Sequence, residues 1–471
     1  MRGNWEITRR LWALAWPIIG LNVLQVLALA VDTAMVGRTM NAEAALSGMG
    51  YASQLVFLLM VAMIGLTVGT VVFIARANGA KQLDRSSHIL QQSAQLTVVL
   101  GLVVAVVGNV VAVPMLKVLG ADDSTLVPAL AYFRPLLAGT VFSYLNILFA
   151  AALRGVGNTR LAFFVALGLN ALNVVLNYGL ILGNLGLPAL GNAGAALGTV
   201  ISQAVAAAVM AWLLWRRAVP SLTLKFRPEP VDKALTRKLL GVGWPAAMDM
   251  LVLNAGLLSI VGLLGRIDQS AVAAHNIGIR VQSIAFVPGM GISQAVGAMV
   301  GQALGARDVA SARKVLRSGV WLCAGIMSTL GLLFIGAADP IVGLFGVEAG
   351  SPLHAYSLEW MKLLGYSMPI VGVFIAISGL LSGAGATMVS LRINAATTLV
   401  CQIPASYVLG FVFGWGAWGV WVALPLVFGL KAVWAYIAYR DGAWANLPAM
   451  ADEQPDSSGS GASQLSDADV P

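Results

Sequence analysis

Charge is what this sequence has least of. Charged residues make up 10% of its 471 positions, against about 25% in a soluble domain. With 59% hydrophobic residues and a mean hydropathy of +0.84, there is too little polar surface to clothe a water-soluble fold of this size. Cysteine is almost absent as well. Cys323 and Cys401 are the whole complement and both fall in apolar stretches, so there is no disulfide framework to read. No G-x-x-x-x-G-K-S/T phosphate loop is present, and the loops are too short for a nucleotide-binding domain, so this chain does not hydrolyse ATP by itself. A secretory signal pattern is also missing. The first apolar segment, 11–36, is too long for a signal core and has no small-residue cleavage site; it reads as a retained first span.

What the sequence has in abundance is long apolar runs. Those at 55–75, 94–113, 161–183, 193–215, 318–338 and 396–429 can each cross a hydrocarbon core, which takes about 20 helical residues. They are continuous rather than alternating, which selects helices over barrel strands. The expectation is an all-α integral membrane protein with twelve transmembrane helices, near 11–36, 46–75, 89–113, 126–152, 160–184, 193–215, 237–264, 270–300, 316–338, 355–382, 389–413 and 416–439. Alternate loops differ sharply in charge. One side holds 21 of the 28 Lys and Arg, seven of them between Arg216 and Lys238. By the positive-inside rule, both termini and the 216–236 loop are expected in the cytoplasm, on a multi-pass protein of the inner (cytoplasmic) membrane. The net charge of +8 reads as this asymmetry and not as a nucleic-acid surface.

The chain repeats itself. Trp16-Pro17 recurs as Trp244-Pro245, Gly37-Arg38 as Gly265-Arg266, and Gly50 and Gln54 as Gly278 and Gln282, all at one offset. Gly79-Ala80-Lys81 returns as Gly305-Ala306-Arg307 after a two-residue slip, and Gly155-x-Gly157-x-Thr159 returns as Gly383-x-Gly385-x-Thr387. The implied organisation is an N-terminal six-helix bundle (1–215), a cytoplasmic linker (216–236) containing Pro220, Pro228 and Pro230, a C-terminal six-helix bundle (237–440), and a disordered polar tail (441–471). Both repeats enter the membrane in the same sense. A pseudo-two-fold axis along the membrane normal follows, with a cavity between the halves. Two rigid bundles that rock about a central site are the mechanical requirement of alternating access. Channels and scaffolds are also built from tandem six-span repeats.

Without ATP hydrolysis, concentrative transport needs a titratable or coordinating group at membrane depth. Asp32 lies inside the first span and Asp249 inside the seventh; His275, Arg280 and Gln282 lie in the eighth. A carboxylate at bilayer depth costs about 3 kcal/mol to insert, which makes it a functional candidate by default; the alternative for Asp32 is a helix-packing hydrogen bond. Asn170, Asn173 and Asn177 follow i, i+3, i+7 spacing and share one helix face. That stripe is either part of a proton or cation site with Asp32 or interhelical glue. Pro17 either permits a bend in the first helix or simply starts it. Asp249, His275, Arg280 and Gln282 are candidates for the substrate cavity or a secondary site. For His275 a hydrogen-bonded structural role is the alternative. No cofactor and no resident metal are expected.

The ordered set W-P-I-I-G…V-D-T-A-M-V-G-R (16–38), A-R-A-N-G-A-K (75–81), L-R-G-V-G-N-T-R (153–160), G-N-A-G-A-A-L-G-T (191–199), A-A-H-N-I (273–277) and V-G-Q-A-L-G-A-R-D (300–308) resembles the MATE family, the multidrug and toxic compound extrusion transporters, over about 10–440. The resemblance implies a V-shaped twelve-helix fold and export of small organic, often cationic, compounds in exchange for a cation. It maps the family's first-helix Asp onto Asp32, its bending proline onto Pro17, its fifth-helix Asn onto Asn173 and its sixth-helix Thr onto Thr199. The DinF-like branch fits better than the NorM-like one, whose C-half acids have no counterpart at the same places. In DinF-like proteins a second Asp stands where this chain has Asn177. With a single N-half carboxylate, H⁺ is the favoured coupling ion and Na⁺ at Asp32 the less favoured one. A monomer in the lipid bilayer is expected. The alternatives are a flippase of lipid-linked oligosaccharides and a non-transporting scaffold.

Overall fold

The computed structural model describes residues 2–39 and 42–446; the tail expectation for 447–471 lies outside them. Eleven of its helices are long and apolar enough to cross a membrane, and a bent pair supplies a twelfth span. In chain order the N-terminal half contains α1 (Arg2–Val36), α2 (Ala42–Gly79), α3 (Leu83–Val118), α4 (Asp123–Ala138), α5 (Thr140–Val156), α6 (Thr159–Leu182) and α7 (Asn192–Trp215). The C-terminal half contains α8 (Lys233–Leu264), α9 (Gln269–Gly305), α10 (Val309–Gly336), the short α11 (Ala338–Gly343), α12 (Pro352–Gly383), a span over Thr387–Val412, and α15 (Gly416–Asp441). The fold is all-helical, two six-span bundles in a V.

Three local departures from the sequence expectation have physical causes. The fourth span is not straight: α4 and α5 meet at 56° across Gly139, just after Pro135. The eleventh span is α13 (Thr387–Ala395), a π-helical stretch Ala396–Gln402, α14 (Ile403–Tyr407) and a second π stretch Val408–Val412. Pro404 near its middle has no N–H to give and its ring crowds the preceding turn, and wider turns on either side accommodate it. Residues 441–446, expected to begin the tail, are folded. Trp444 is 2% exposed, and its Nε1–H donates to the Tyr439 carbonyl at 2.9 Å.

The repeated motifs around Gly79 and Gly305 meet at one end of the molecule, the end with the basic loops. Gly79 of α2 lies so close to α9 that a Cβ would strike the Gln302 carbonyl; Gly305 of α9 lies equally close to the Arg76 carbonyl of α2. The side chains of these same partners cross the interface. Gln302 Nε2 donates to the Gly155 carbonyl at 2.8 Å and Arg76 Nη2 to the Ala384 carbonyl at 2.7 Å. The glycine–threonine motifs serve the same end. Gly157 and Gly385 adopt φ of +87° and +77°, a left-handed turn that favours glycine. Thr159 and Thr387 then donate to the carbonyls of Leu14 in α1 and Val242 in α8, at 3.1 and 2.7 Å. These carbonyls stand three residues before Pro17 and Pro245.

α1 and α8 each begin between the halves. Leu11, Ala15 and Ile18 of α1 pack with Ile292, Val296 and Leu380 of the C-terminal half. Leu235 and Leu239 of α8 pack with Leu66, Phe73 and Leu153 of the N-terminal half. Farther along the same helices Val26, Leu27 and Leu29 of α1 and Leu257 and Leu258 of α8 are exposed. The halves therefore close at the basic end and part toward the other.

The linker is fastened along α3. Ser87, Gln91, Gln92 and Gln95 share one face of that helix. Ser87 Oγ, Gln91 Oε1 and Gln92 Oε1 accept from the backbone N–H of Thr223, Lys225 and Asp232. The amide groups of Gln91, Gln92 and Gln95 donate back to the carbonyls of Arg227, Pro230 and Glu229. His88 sits between Glu229 at 2.9 Å and Asp232 at 3.4 Å. Lys225, with His88, holds the Glu229 carboxyl below its usual range. At Asp232 the capping N–H of Leu235 leads and His88 adds.

Both carboxyls are depressed on folding, so their contribution is present above the ordinary carboxylate range and is lost as pH falls through the folded values. Hydrogen–deuterium exchange at Thr223, Lys225 and Asp232, corrected for intrinsic rate, is therefore expected to stay slow at neutral pH and to rise on acidification below that range. Gln92→Ala should raise it at neutral pH about five-fold, the equivalent of one hydrogen bond of about 1 kcal/mol; unchanged exchange would remove the fastening. At the seal, Gly79→Ala or Gly305→Ala forces backbone apart, and spin labels at Ala80 and Asp308 should report a longer distance between the halves than in the unsubstituted protein.

Candidate functional site

Asp32 is near the end of α1, where the helix has left the interface and packs on α6 of its own half. It is 7% exposed. Asn177 Nδ2 donates to Asp32 Oδ1 at 2.6 Å and lies 3.2 Å from Asn173 Oδ1. Asn173 Nδ2 donates to Thr199 Oγ1 of α7 at 3.3 Å, and that hydroxyl donates to the Ala195 carbonyl at 3.0 Å. Asp32, Asn177, Asn173 and Thr199 thus form one chain of hydrogen bonds across three helices. Asn177 and Asn173, one turn apart, are 0% and 6% exposed. Gly198 of α7 makes room for this: a Cβ there would collide with Asn177 Oδ1.

The donor set is one carboxylate, two amide oxygens and a hydroxyl. Among the described residues there is no group of three or more His, Cys, Asp and Glu that could hold a metal ion. Oxygen ligands with a single negative charge suit a proton or a small hard monovalent cation better than a divalent metal. Asn177 Oδ1 is buried and has no hydrogen-bond partner, so one acceptor at the centre of the site is available.

The other sequence candidates separate. Asn170 donates to the Ala166 carbonyl of its own helix at 2.7 Å and takes no part in the chain. Pro17 lies well inside α1 rather than in its first turn, which removes the reading in which it starts the helix. Asp249 belongs to a different cluster, accepting from Asn394 Nδ2 at 2.8 Å. His275 is 1% exposed and packs against Trp360 with ring centroids 5.2 Å apart; neither ring nitrogen has a partner, so a hydrogen-bonded structural role is not what is found. Arg280 is exposed, in a groove with Asn276, Glu348 and Ser351. Gln282 is half-buried.

Three residues were not singled out as site members from the sequence. Tyr132 of α4 is within electrostatic reach of Asp32. Asn394 and Thr398 join Asp249 to the buried Lys431. Asn394 and Thr398 do stand one helical turn apart in the sequence, but a four-residue spacing of polar side chains is too common to be diagnostic by itself.

Comparison with known proteins agrees with this architecture. The MatE family model matches twice, over residues 17–179 and 245–408, one match to each half. A probable multidrug resistance protein NorM of Thermotoga maritima is 27% identical over 457 residues, covering 95% of this chain and 96% of the relative. The multidrug resistance protein NorM of Burkholderia vietnamiensis is 30% identical over 450 residues, covering 91% and 92%. Among solved structures, an outward-facing multidrug resistance MATE transporter of the MOP superfamily superposes with a TM-score of 0.85 at 21% identity, covering 94% of this chain and 97% of that one. The chain belongs to the MatE family, the MATE transporters, which are carriers and not enzymes.

Proposed function

We propose that this protein is a secondary active multidrug efflux transporter of the DinF-like kind, exporting organic, often cationic, compounds in exchange for H⁺ through alternating access. The observation that carries the reading is the Asp32–Asn177–Asn173–Thr199 chain: an isolated carboxylate at membrane depth, held by neutral partners, in one half of a molecule sealed at one end. The drug-resistance names of the relatives support the substrate class. The residue ranges 1–215 and 237–440 serve as the two lobes, the 216–236 segment as their linker, and the basic end as the cytoplasmic face, with both termini there.

An amide suits a carboxylate that changes protonation state. While Asp32 is ionised, the Asn177 NH₂ donates to it. Once Asp32 is protonated it becomes a donor, and the Asn177 oxygen, buried and without a partner, is the acceptor presented after the amide turns. The hydrogen bond to Asp32 is kept in both states with its direction reversed, and the Asn177–Asn173 bond reverses with it as the Asn173 amide turns in step. With the basic end closed, a proton reaches Asp32 from the open side as the substrate leaves. The reverse exchange follows once the halves rock to open the basic end. Each proton carries about 1.4 kcal/mol per pH unit and about 2.3 kcal/mol per 100 mV, which supports modest concentrative export; for a monovalent cation exchanged one for one the voltage part cancels and the pH part remains.

Asp32→Asn is expected to abolish dye efflux from energised cells while the protein still reaches the membrane; unchanged efflux sinks the site assignment. In proteoliposomes with the two gradients imposed separately, a proton gradient should drive dye movement and a Na⁺ gradient alone should not. The opposite result moves the coupling ion to Na⁺ at the same oxygens.

A further inference from the structure

The C-terminal half contains a second polar cluster on the helices that correspond, by the sequence repeat, to those of the Asp32 site. Asp249 is on α8, Asn394 and Thr398 on the eleventh span, and Lys431 on α15. Their counterparts at the main repeat offset are Leu21, Ala166, Asn170 and Gln203. The helix triad is the same but the depth is not. Asp249 precedes Ile260, the counterpart of Asp32, by three turns, which brings it about 16 Å nearer the basic end.

Its chemistry also differs. Lys431 is 2% exposed, in a helix that is otherwise apolar along its buried face. Its Nζ donates to Thr398 Oγ1 at 3.0 Å and lies 5.4 and 6.0 Å from the ring centroids of Phe428 and Phe374. Asn394, one turn before Thr398, donates to Asp249 at 2.8 Å. Asp249 and Lys431 also interact through space. The other charged side chains of α12, the eleventh span and α15, namely Glu359, Lys362, Arg392, Arg440 and Asp441, are exposed, and those of α8 besides Asp249, namely Lys233, Arg237 and Lys238, lie in its first two turns at the basic end. A buried ammonium in this setting needs a counter-charge, and Asp249 is the one its neighbours supply. Asp32, by contrast, is surrounded by neutral amides and a hydroxyl.

We propose that Lys431 is a tethered cation: it occupies, in the C-terminal half, the electrostatic role that a solution cation plays beside Asp32, and thereby keeps Asp249 out of the ion stoichiometry. The two halves then divide the work. One half exchanges an ion with water; the other contains its own. This builds on the reading of Asp32 as the exchanging site, but the prediction compares variants at Lys431 and is read separately.

The test counts cations bound by the purified full-length protein, using potentiometric proton uptake between pH 5 and 8 together with equilibrium dialysis of radioactive Na⁺. Lys431→Met removes the tethered charge and leaves Asp249 with only Asn394, the same chemistry as Asp32 with Asn177. It is expected to bind about one more cation than the unsubstituted protein, by linkage. Lys431→Arg should keep the original count, and Asp249→Asn/Lys431→Met should return to it. A Lys431→Met count equal to the original overturns the proposal. Should Lys431→Met not fold, the double variant decides: the original count supports the proposal, and a count lower by one shows that Asp249 was already a cation site and overturns it. Asp32→Asn, measured alongside, lowers the count if the N-half site is as read. Its failure to do so counts against that site and not against Lys431.

Discussion

The reciprocal contact of α2 and α9 at the basic end is the constraint on which the rest of the architecture turns. Lipid offers no hydrophobic drive for helices to associate, so their contact rests on close van der Waals packing and hydrogen bonds. Gly79 and Gly305 let two backbones touch, and Gln302 and Arg76 cross to carbonyls of the opposite half. Because the contact is made by repeated motifs, it is made twice about one axis. A seal of this kind is confined to the residues that form it. It closes one end and leaves the bundles free to diverge beyond it, which is the geometry alternating access requires.

α1 and α8 connect that seal to the polar clusters. Each helix starts wedged between the halves and ends within its own. α1 spans both regions, from Leu11 in the interface to Asp32 against α6, so a change of state at Asp32 and a change of packing at the seal act on one continuous rod. Pro17 lies between them. It withholds the N–H that would serve the Ala13 carbonyl, and Thr159 binds the neighbouring Leu14 carbonyl. The corresponding proline and threonine in the C-terminal half make the same arrangement at Val242. The repeat has thus preserved a hinge-like device in both halves, while the polar clusters above it have diverged in depth and charge.

Much of this was legible in the sequence because membranes impose strict rules. Span count follows from the length of apolar runs, and the division into halves from motifs such as Gly155-x-Gly157-x-Thr159 that recur at fixed spacing. Asp32, Asn173 and Asn177 were legible because polar groups are rare and costly in hydrocarbon, and Thr199 only through the resemblance of its motif to that of the family. What sequence reasoning missed is what depends on neighbours. The break at Gly139 and the π turns around Pro404 are local solutions to missing or crowded backbone groups, and periodicity does not encode them. Asn170 fits the helical stripe yet turns back onto its own helix. The approach of Lys431 to Asp249 needs two helices far apart in the chain to be brought together, which no local pattern encodes.

That residue 177 is an amide and not a second carboxylate has a physical consequence for the kind of site that can form. Two carboxylates a hydrogen bond apart repel when both are ionised, so such a pair calls for a bound cation or a shared proton. One carboxylate with an amide carries no such repulsion. It tolerates an ionised and a neutral state with nearly the same geometry, since the amide offers a donor or an acceptor as required. Gly198 leaves the space in which Asn177 sits, and Asn173 and Thr199 hold it from the far side. The site is thereby arranged so that gaining or losing one charge demands little movement of its own. In the proposed cycle the free energy of that event acts through α1, which runs from Asp32 to the contacts that close the basic end.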